Sequence, residues 1–286
     1  MSIFVLMKVH PFKIPKPENS ALIYQEDIEA VFYDKLHQHN EIQISFIEKG
    51  NGTLLVGDHI SSYVENDIFI IGSNLPHAFK SDKHGATESK MLSLFFTESS
   101  FGDTFFELSE FKELNRFFVK STKGLVVKSN KSDIIECFKK LKKASKLERF
   151  ILLLEILKRI ATAKSETLST FIYEKTYSDN EGNRMRHVFE YTMTNYQKDI
   201  SLETIANEAN MTKNAFCKYF KKRTNKTYVT FLNEIRVEHA TRLLEQQVDL
   251  PIIEIAELSG FNNLSNFNRQ YKKVKGHIPS FVRKRV

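Results

Sequence analysis

An internal repeat limits what this chain can fold into more than any other feature. Residues 201–211 and 251–261 carry one pattern at an offset of 50 positions. Leu202, Ile205 and Ala206 in the first copy correspond to Ile252, Ile255 and Ala256 in the second. Apolar residues at i, i+3 and i+4 define one buried face of a short helix. The small residues Ala206, Ala209, Ala256 and Ser259 let a second helix pack closely. Each short helix ends at Asn210 or Gly260, residue types that tolerate positive φ. Beyond the break the offset becomes 51, and Phe216, Lys218, Phe220, Lys221 and Lys222 match Phe267, Arg269, Tyr271, Lys272 and Lys273. Thr212 can cap the first of these helices, and Asn262 or Asn263 the second. Phe216 with Phe220, and Phe267 with Tyr271, share an inward face at i, i+4. Lys218, Arg269 and the lysine pairs cannot share it and point out.

Each unit is therefore a short helix, a tight turn and an amphipathic helix with a basic, amide-rich outer face. That is a helix-turn-helix, whose second helix enters the DNA major groove. The residues expected on double-stranded DNA are Thr212, Lys213, Asn214, Lys218, Lys221 and Lys222 in the first unit. In the second they are Asn262, Asn263, Ser265, Asn266, Arg269, Lys272 and Lys273. Asn and Arg can bond base edges, while Lys and Ser hold phosphates. Between the units, Phe231, Leu232, Ile235, Ala240, Leu243 and Leu244 predict a helix over Tyr228–Gln247. A helix of ~19 residues spans about 28 Å. One turn of DNA is about 34 Å, so this helix can hold two recognition helices in successive major grooves. The charge follows the same division. The whole chain carries +7, yet residues 184–286 alone hold 18 basic and 10 acidic residues, whereas residues 1–102 hold 8 and 13. The basic third is the part that suits a polyanion.

The first hundred residues read differently. Ile42, Ile44 and Phe46 alternate with Gln43 and Ser45, and short stretches follow at Thr53–Val56, Ile68–Ile71 and Met91–Phe96. Turn residues separate them at Gly50–Gly52, Gly57–Asp58, Glu65–Asp67 and Gly72–Asn74. Short strands at regular spacing predict an all-β sandwich or barrel. From Phe105 to Phe118 apolar residues recur at three and four positions, predicting an amphipathic helix. A break at Lys123–Gly124 precedes one or two more helices over residues 134–160. Residues 162–183 are polar and predict an interdomain linker. The expected fold class is α+β in two domains. A β-barrel is expected over 1–102, a helical segment over 103–161, a linker over 162–183 and an all-α double helix-turn-helix over 184–286. Two cysteines, Cys137 and Cys217, without a CxxC, exclude a disulfide framework and a thiolate zinc site. No apolar run reaches membrane-spanning length, and Ile3–Met7 is too short for a signal-peptide core. A cytoplasmic protein with no membrane partner is expected.

Over residues 184–286 the chain resembles the AraC/XylS family of bacterial transcriptional regulators. The resemblance is carried by Arg236, Glu238, Ala240, Leu243, Leu244, Ile255, Ala256, Gly260, Phe261, Phe267, Arg269, Tyr271, Lys272, Gly276 and Pro279. The family usually has Gly where Asn225 stands and Arg where Lys218 stands, and Pro251 replaces a capping Ser. The resemblance implies an N-terminal cupin-like barrel that binds a small effector, and a helical segment that pairs subunits into a homodimer. It also implies contact with RNA polymerase if the regulator is an activator.

His37, His39, Glu41 and His77 are similar to the metal-binding set of cupin enzymes. Side chains two apart on a strand project to one face, so His37 and His39 share one. We expect these four residues to line an effector pocket by hydrogen bonding, with no metal and no cofactor. Phe46, Phe69, Phe79, Phe95 and Phe96 either line that pocket or form plain core. The function expected is a sequence-specific, DNA-binding transcription regulator and not an enzyme. The alternative is a metal-dependent cupin enzyme carrying a DNA-binding tail, supported by the histidine set alone. No Ser-His-Asp spacing, Gly-rich phosphate loop or HExxH motif accompanies it.

Overall fold

The computed structural model describes residues 20–32, 34–82, 88–170 and 179–283. Among the described residues nine antiparallel strands occur, seven of them before the first helix: β1 Ile23–Glu29, β2 Ile42–Lys49, β3 Gly52–Val56, β4 His59–Tyr63, β5 Ile68–Ile71, β6 His77–Ser81, β7 Ser89–Phe96, β8 Leu125–Val127 and β9 Ser165–Thr167. They make a six-stranded sheet ordered β1-β7-β2-β5-β8-β9 and a three-stranded sheet ordered β4-β3-β6. Leu54, Val56, Tyr63 and Phe79 of the small sheet share a core with Ile47, Phe69, Ile71, Met91 and Val126 of the large one, so the two sheets face each other.

The outer face of the large sheet is also covered. Ile42, Ile44 and Phe46 of β2 join Ile68, Ile70, Leu92, Leu94 and Phe96 against three helices: α1 Asn115–Ser121, α2 Lys131–Leu141 and α3 Lys146–Thr162. Ile134, Phe138, Leu153, Ile156, Leu157 and Ile160 fill that second core. The strand period of two therefore sends the apolar set of β2 outward to the helices, and Gln43 and Ser45 inward between the sheets. Gln43 Nε2 donates to Ser45 Oγ at 2.7 Å, and Ser45 and Ser93 hydroxyls pair at 2.7 Å. α3 starts with a capping box, in which the Ser145 hydroxyl accepts from Glu148 N and the Glu148 carboxylate accepts from Ser145 N.

Several expectations are corrected. Residues 105–118 are not one α-helix. They form short 3-10 segments at Phe105–Glu107 and Ser109–Leu114, interrupted by Leu108 in extended backbone, before α1 begins. Their Phe stripe is used on the sheet: Phe106, Phe117 and Phe118 are buried in the core beneath α2 and α3. The helical segment also contains β8, which extends the large sheet from β5. The segment 162–183, expected as linker, contributes β9 against β8, and α4 (Asp179–Asn195) already starts within it. Residues 171–178 of that segment lie outside the described residues. Strands of three residues are too short to show a period, so only the neighbouring sheet edge identifies them. β1, β4 and β6, unread in the sequence, are strands with mixed polar composition.

The C-terminal part is helical: after α4 come α5 Leu202–Glu208, α6 Lys213–Thr224, α7 Tyr228–Gln246, α8 Ile252–Leu258, α9 Leu264–Lys275 and α10 Pro279–Arg283. The N-terminal half of α7 (Tyr228, Phe231, Leu232, Ile235) packs with α4, α5 and α6, and its C-terminal half (Val237, Ala240, Leu244) packs with α8 and α9. Arg236 of α7 closes the joint, donating from Nε to Tyr196 O at 2.7 Å and from Nη2 to Lys198 O at 2.8 Å. Gln197 Nε2 donates to Leu258 O at 2.9 Å and ties one unit to the other.

Candidate nucleic-acid interface and sensor cavity

Both recognition helices are built by local sequence. α6 starts at Thr212, whose hydroxyl accepts from Ala215 N at 3.4 Å. α9 starts at Asn263, whose Oδ1 accepts from Asn266 N at 3.0 Å, which settles the cap on Asn263 rather than Asn262. α6 ends at Asn225 in the left-handed region, φ 55°, where α9 ends at Gly276, φ 79°. Asn is the common substitute for Gly at such a cap. Pro251 precedes α8 with no side-chain cap, its fixed φ of −56° serving instead. The turn between α8 and α9 depends on Gly260 at φ 88°, where a Cβ would fall 2.6 Å from Tyr196 O.

Phe216, Phe220, Phe267 and Tyr271 are fully buried. Thr212, Lys213, Asn214, Lys218, Lys221 and Lys222 are exposed along α6, as are Asn262, Asn263, Ser265, Arg269, Lys272 and Lys273 along α9. Several of these residues also have partners within the chain. Thr212 and Asn263 serve as caps, and Lys213 Nζ lies 2.7 Å from Glu203 Oε1. Asn266 is half-buried, and its Oδ1 accepts from Arg269 Nη2 at 2.9 Å, which orients the guanidinium.

The histidine set converges between the two sheets. His37 and His77 form a backbone bridge, with His37 N donating to His77 O at 3.1 Å and His77 N to His37 O at 2.9 Å. The ring centroids of His37 and His39 lie 4.3 and 5.0 Å from that of His77. One ring nitrogen from each of the three lies within 4.8 Å of the others. All three Nδ1 atoms face backbone carbonyls: Lys35 O at 2.8 Å, Glu41 O at 2.9 Å and Leu75 O at 2.8 Å. A carbonyl only accepts, so each Nδ1 carries a proton. Glu41 does not stand with them in the cavity. Its carboxylate lies behind His39, 3.6 Å from Nδ1. Gln43 takes the inner position, with Oε1 3.1 Å from His39 Nε2. Sequence reading missed Gln43, although its parity matches that of His37 and His39.

These residues line a cavity of about 770 Å³, with Phe79 and Phe95 on its walls and Asp27, Glu29 and Asp34 among its polar groups. Phe46 and Phe96 belong to the core under the helices and Phe69 to the core between the sheets, so of the five candidate aromatics two reach the cavity.

The small sheet presents its other face to the helical domain. Thr53 Oγ1 of β3 accepts from Arg242 Nη1 of α7 at 2.9 Å, and Ser62 Oγ of β4 donates to Glu238 Oε2 at 3.3 Å. Leu36, Leu55 and Ile60 are buried against Met185, Val188 and Phe189 of α4. Arg186 Nε donates to Leu36 O at 2.9 Å, Lys80 Nζ to Met193 O at 2.7 Å, and Lys35 Nζ lies 3.2 Å from Glu190 Oε1. None of these contacts was anticipated, since single residues on strands and helices carry no periodic signal. No helix among the described residues is long and apolar enough to cross a membrane.

Comparison with known proteins agrees with this arrangement. Residues 19–115 match the AraC-like ligand binding domain and residues 205–285 a helix-turn-helix domain. The chain is 23% identical over 261 residues to the uncharacterized HTH-type transcriptional regulator YdeC of Bacillus subtilis, spanning 88% of this chain and 87% of that one. It is 24% identical over 243 residues to the Msm operon regulatory protein of Streptococcus mutans, spanning 85% and 84%. It is 32% identical over 89 residues to the lactose operon transcription activator of Staphylococcus xylosus, spanning 31% and 32%. A sheet-built ligand-binding domain followed by two helix-turn-helix units on a basic surface is a DNA-binding transcription regulator, and this chain belongs to the AraC/XylS family.

Proposed function

We propose that α6 and α9 read two successive major-groove segments of one operator, and that occupancy of the cavity between the sheets adjusts that binding. The observation that carries this reading is the anchoring of both capped helices on α7, with Lys218, Lys221, Lys222, Arg269, Lys272 and Lys273 exposed. A 19-residue α7 has a length of about 28 Å, close to one DNA turn. Arg269, oriented by Asn266, is the base-reading residue, and the lysines hold phosphates. The cavity serves sensing rather than turnover, because the strands that line it also carry the contacts to α4 and α7. The protein works in the cytoplasm, consistent with Cys137 and Cys217 as thiols. It acts as a homodimer through the helices after the barrel, where Leu147 and Ile151 of α3 are exposed. The resemblance to operon regulators directs it to a promoter, where as an activator it contacts RNA polymerase.

Selection of bound sites from random duplex DNA with the full chain tests the reading. The expected product is a bipartite motif with half-sites about one turn apart. Arg269→Ala weakens binding to it by about 1–3 kcal/mol. Enrichment of no motif, or an unchanged footprint in Arg269→Ala, counts against the assignment. Sedimentation of the DNA-bound chain as a strict monomer overturns the dimer.

A further inference from the structure

We propose that copies of this chain pair head to tail on DNA, the acidic solvent face of α8 in one copy seating in the basic groove between α2 and α3 of the next. The proposal rests on the reading of the chain as one that acts in paired copies, and it names the surfaces that meet. The first surface departs from the charge of its own domain. Residues 184–286 are basic, yet 243–268 hold four acidic residues, Glu245, Asp249, Glu254 and Glu257, and no Lys or Arg. All four are exposed, and none has an ion-pair partner among the described residues. Ile255 and Ala256 bury one side of α8, which leaves Ile253, Glu254, Glu257 and Leu258 on the other. Ile253 is 52% exposed and Leu258 48%. Phosphates repel these carboxylates, so the face serves something other than the operator.

The second surface has the opposite charge around a similar apolar centre. Lys139, Lys140 and Lys143 at the end of α2 line a groove of about 590 Å³ with Ala144, Ile151 and Leu152. Ile151 and its neighbour Leu147 are exposed on α3. Lys139, Lys143 and the adjacent Lys146 have no carboxylate partner among the described residues. Glu148, the carboxylate that lines the groove, is engaged in the capping box of α3. Exposed aliphatic side chains ringed by carboxylates thus match exposed aliphatic side chains ringed by lysines, and a helix face laid in a groove is a recurring mode of recognition. The apolar floor distinguishes this occupant from a duplex, which would engage the lysines and leave Leu147 and Ile151 in water. The same groove on a second copy fits less well, because it sets Lys139 and Lys143 against lysines. Nor can the two surfaces meet within one chain. α2 and α3 cover the outer face of the large sheet, whereas the helical domain docks on the outer face of the small one, with the sandwich between. Contact between two different surfaces is heterologous and repeats in one direction. It therefore requires copies in the same orientation along the duplex.

The test measures binding of the full chain to the duplex motif recovered by site selection, presented as a single site, a direct repeat and an inverted repeat with whole helical turns between sites. The expected result is about tenfold tighter filling of the second site in the direct repeat, with no such gain in the inverted one. Glu254→Lys with Glu257→Lys abolishes the gain, and so does Lys139→Glu with Lys143→Glu, while both variants keep the single-site footprint. Combining the two pairs of substitutions restores the gain, which misfolding does not mimic. Independent filling of the direct repeat by the wild-type chain overturns the proposal, as does a combined variant that recovers nothing. Cooperative filling of the inverted repeat alone overturns it in favour of paired α3 faces. Sedimentation of the free chain at high concentration reads the same contact without DNA, and self-association is expected to follow the same loss and recovery. A dimer undiminished by either charge reversal leaves the homodimer standing and removes α8 from it.

Discussion

Arg242 of α7 and Asp82, which directly follows β6, are joined across the two domains. Nε lies 3.1 Å from Oδ2, and Nη1 of the same guanidinium donates to Thr53. Arg242 is 8% exposed, so replacing it takes its charged donors away from the Asp82 carboxylate and the Thr53 hydroxyl at a largely buried joint. Arg242→Ala is expected to cost about 2 kcal/mol of stability. Urea unfolding of the full chain checks it, and a double-mutant cycle with Asp82→Ala should give a coupling of about 1 kcal/mol. Additive single and double losses would remove the interdomain pair as their cause.

Asn225 holds the left-handed end of α6 at φ 55°. Ala in that conformation is penalised by about 1–2 kcal/mol and Gly is not. Asn225→Ala should lower Tm, while Asn225→Gly should match or exceed wild type. Equal losses for both would mean the side chain rather than the backbone matters.

Gly260 has less room still. A Cβ there meets Tyr196 O at 2.6 Å and Arg236 Nε at 2.9 Å, in a backbone with φ 88°. Gly260→Ala should destabilise by about 2–3 kcal/mol and loosen the second unit against α7. Hydrogen exchange should show lower protection in α8 and α9; unchanged exchange would refute the steric argument.

Burial pushes the His59 imidazole below its usual range; Glu238 and Asp58 oppose the shift while Lys226 and Lys275 reinforce it. The unfolded chain therefore takes up this proton before the folded one does. Stability should fall as pH drops below about 6.5, until His59 is protonated in the folded state too. The pH 7.5 to 5.5 change in unfolding free energy should shrink in His59→Gln. An identical pH slope in both proteins would assign the effect elsewhere.

Lys272 and Lys273 follow Tyr271 on the exposed side of α9. Each lost phosphate contact lowers the salt slope of log K by about 0.9. Replacing both by Gln should reduce the slope by about 2 and leave the preferred sequence intact. A changed motif with an unchanged slope would show that these lysines read bases.

The repeat, the inward aromatic pairs and the cap Thr212 were legible because a helix writes its buried face into spacing of three and four, whereas the choice of Asn263 over Asn262 was not. The alternation in β2 was equally legible, as was the proximity of His37 and His39 on one face. Tertiary structure alone decided which face of β2 meets the helices and which meets the cavity, because both are buried and period two does not say which side is which. It alone brought His77 of β6 against His37 and put Gln43, not Glu41, beside the Nε2 of His39, since pairing between distant strands leaves no local signal. The contacts of Arg242 and Arg186 with the sensor domain are of the same kind: single charged residues, set by how two separately legible domains dock.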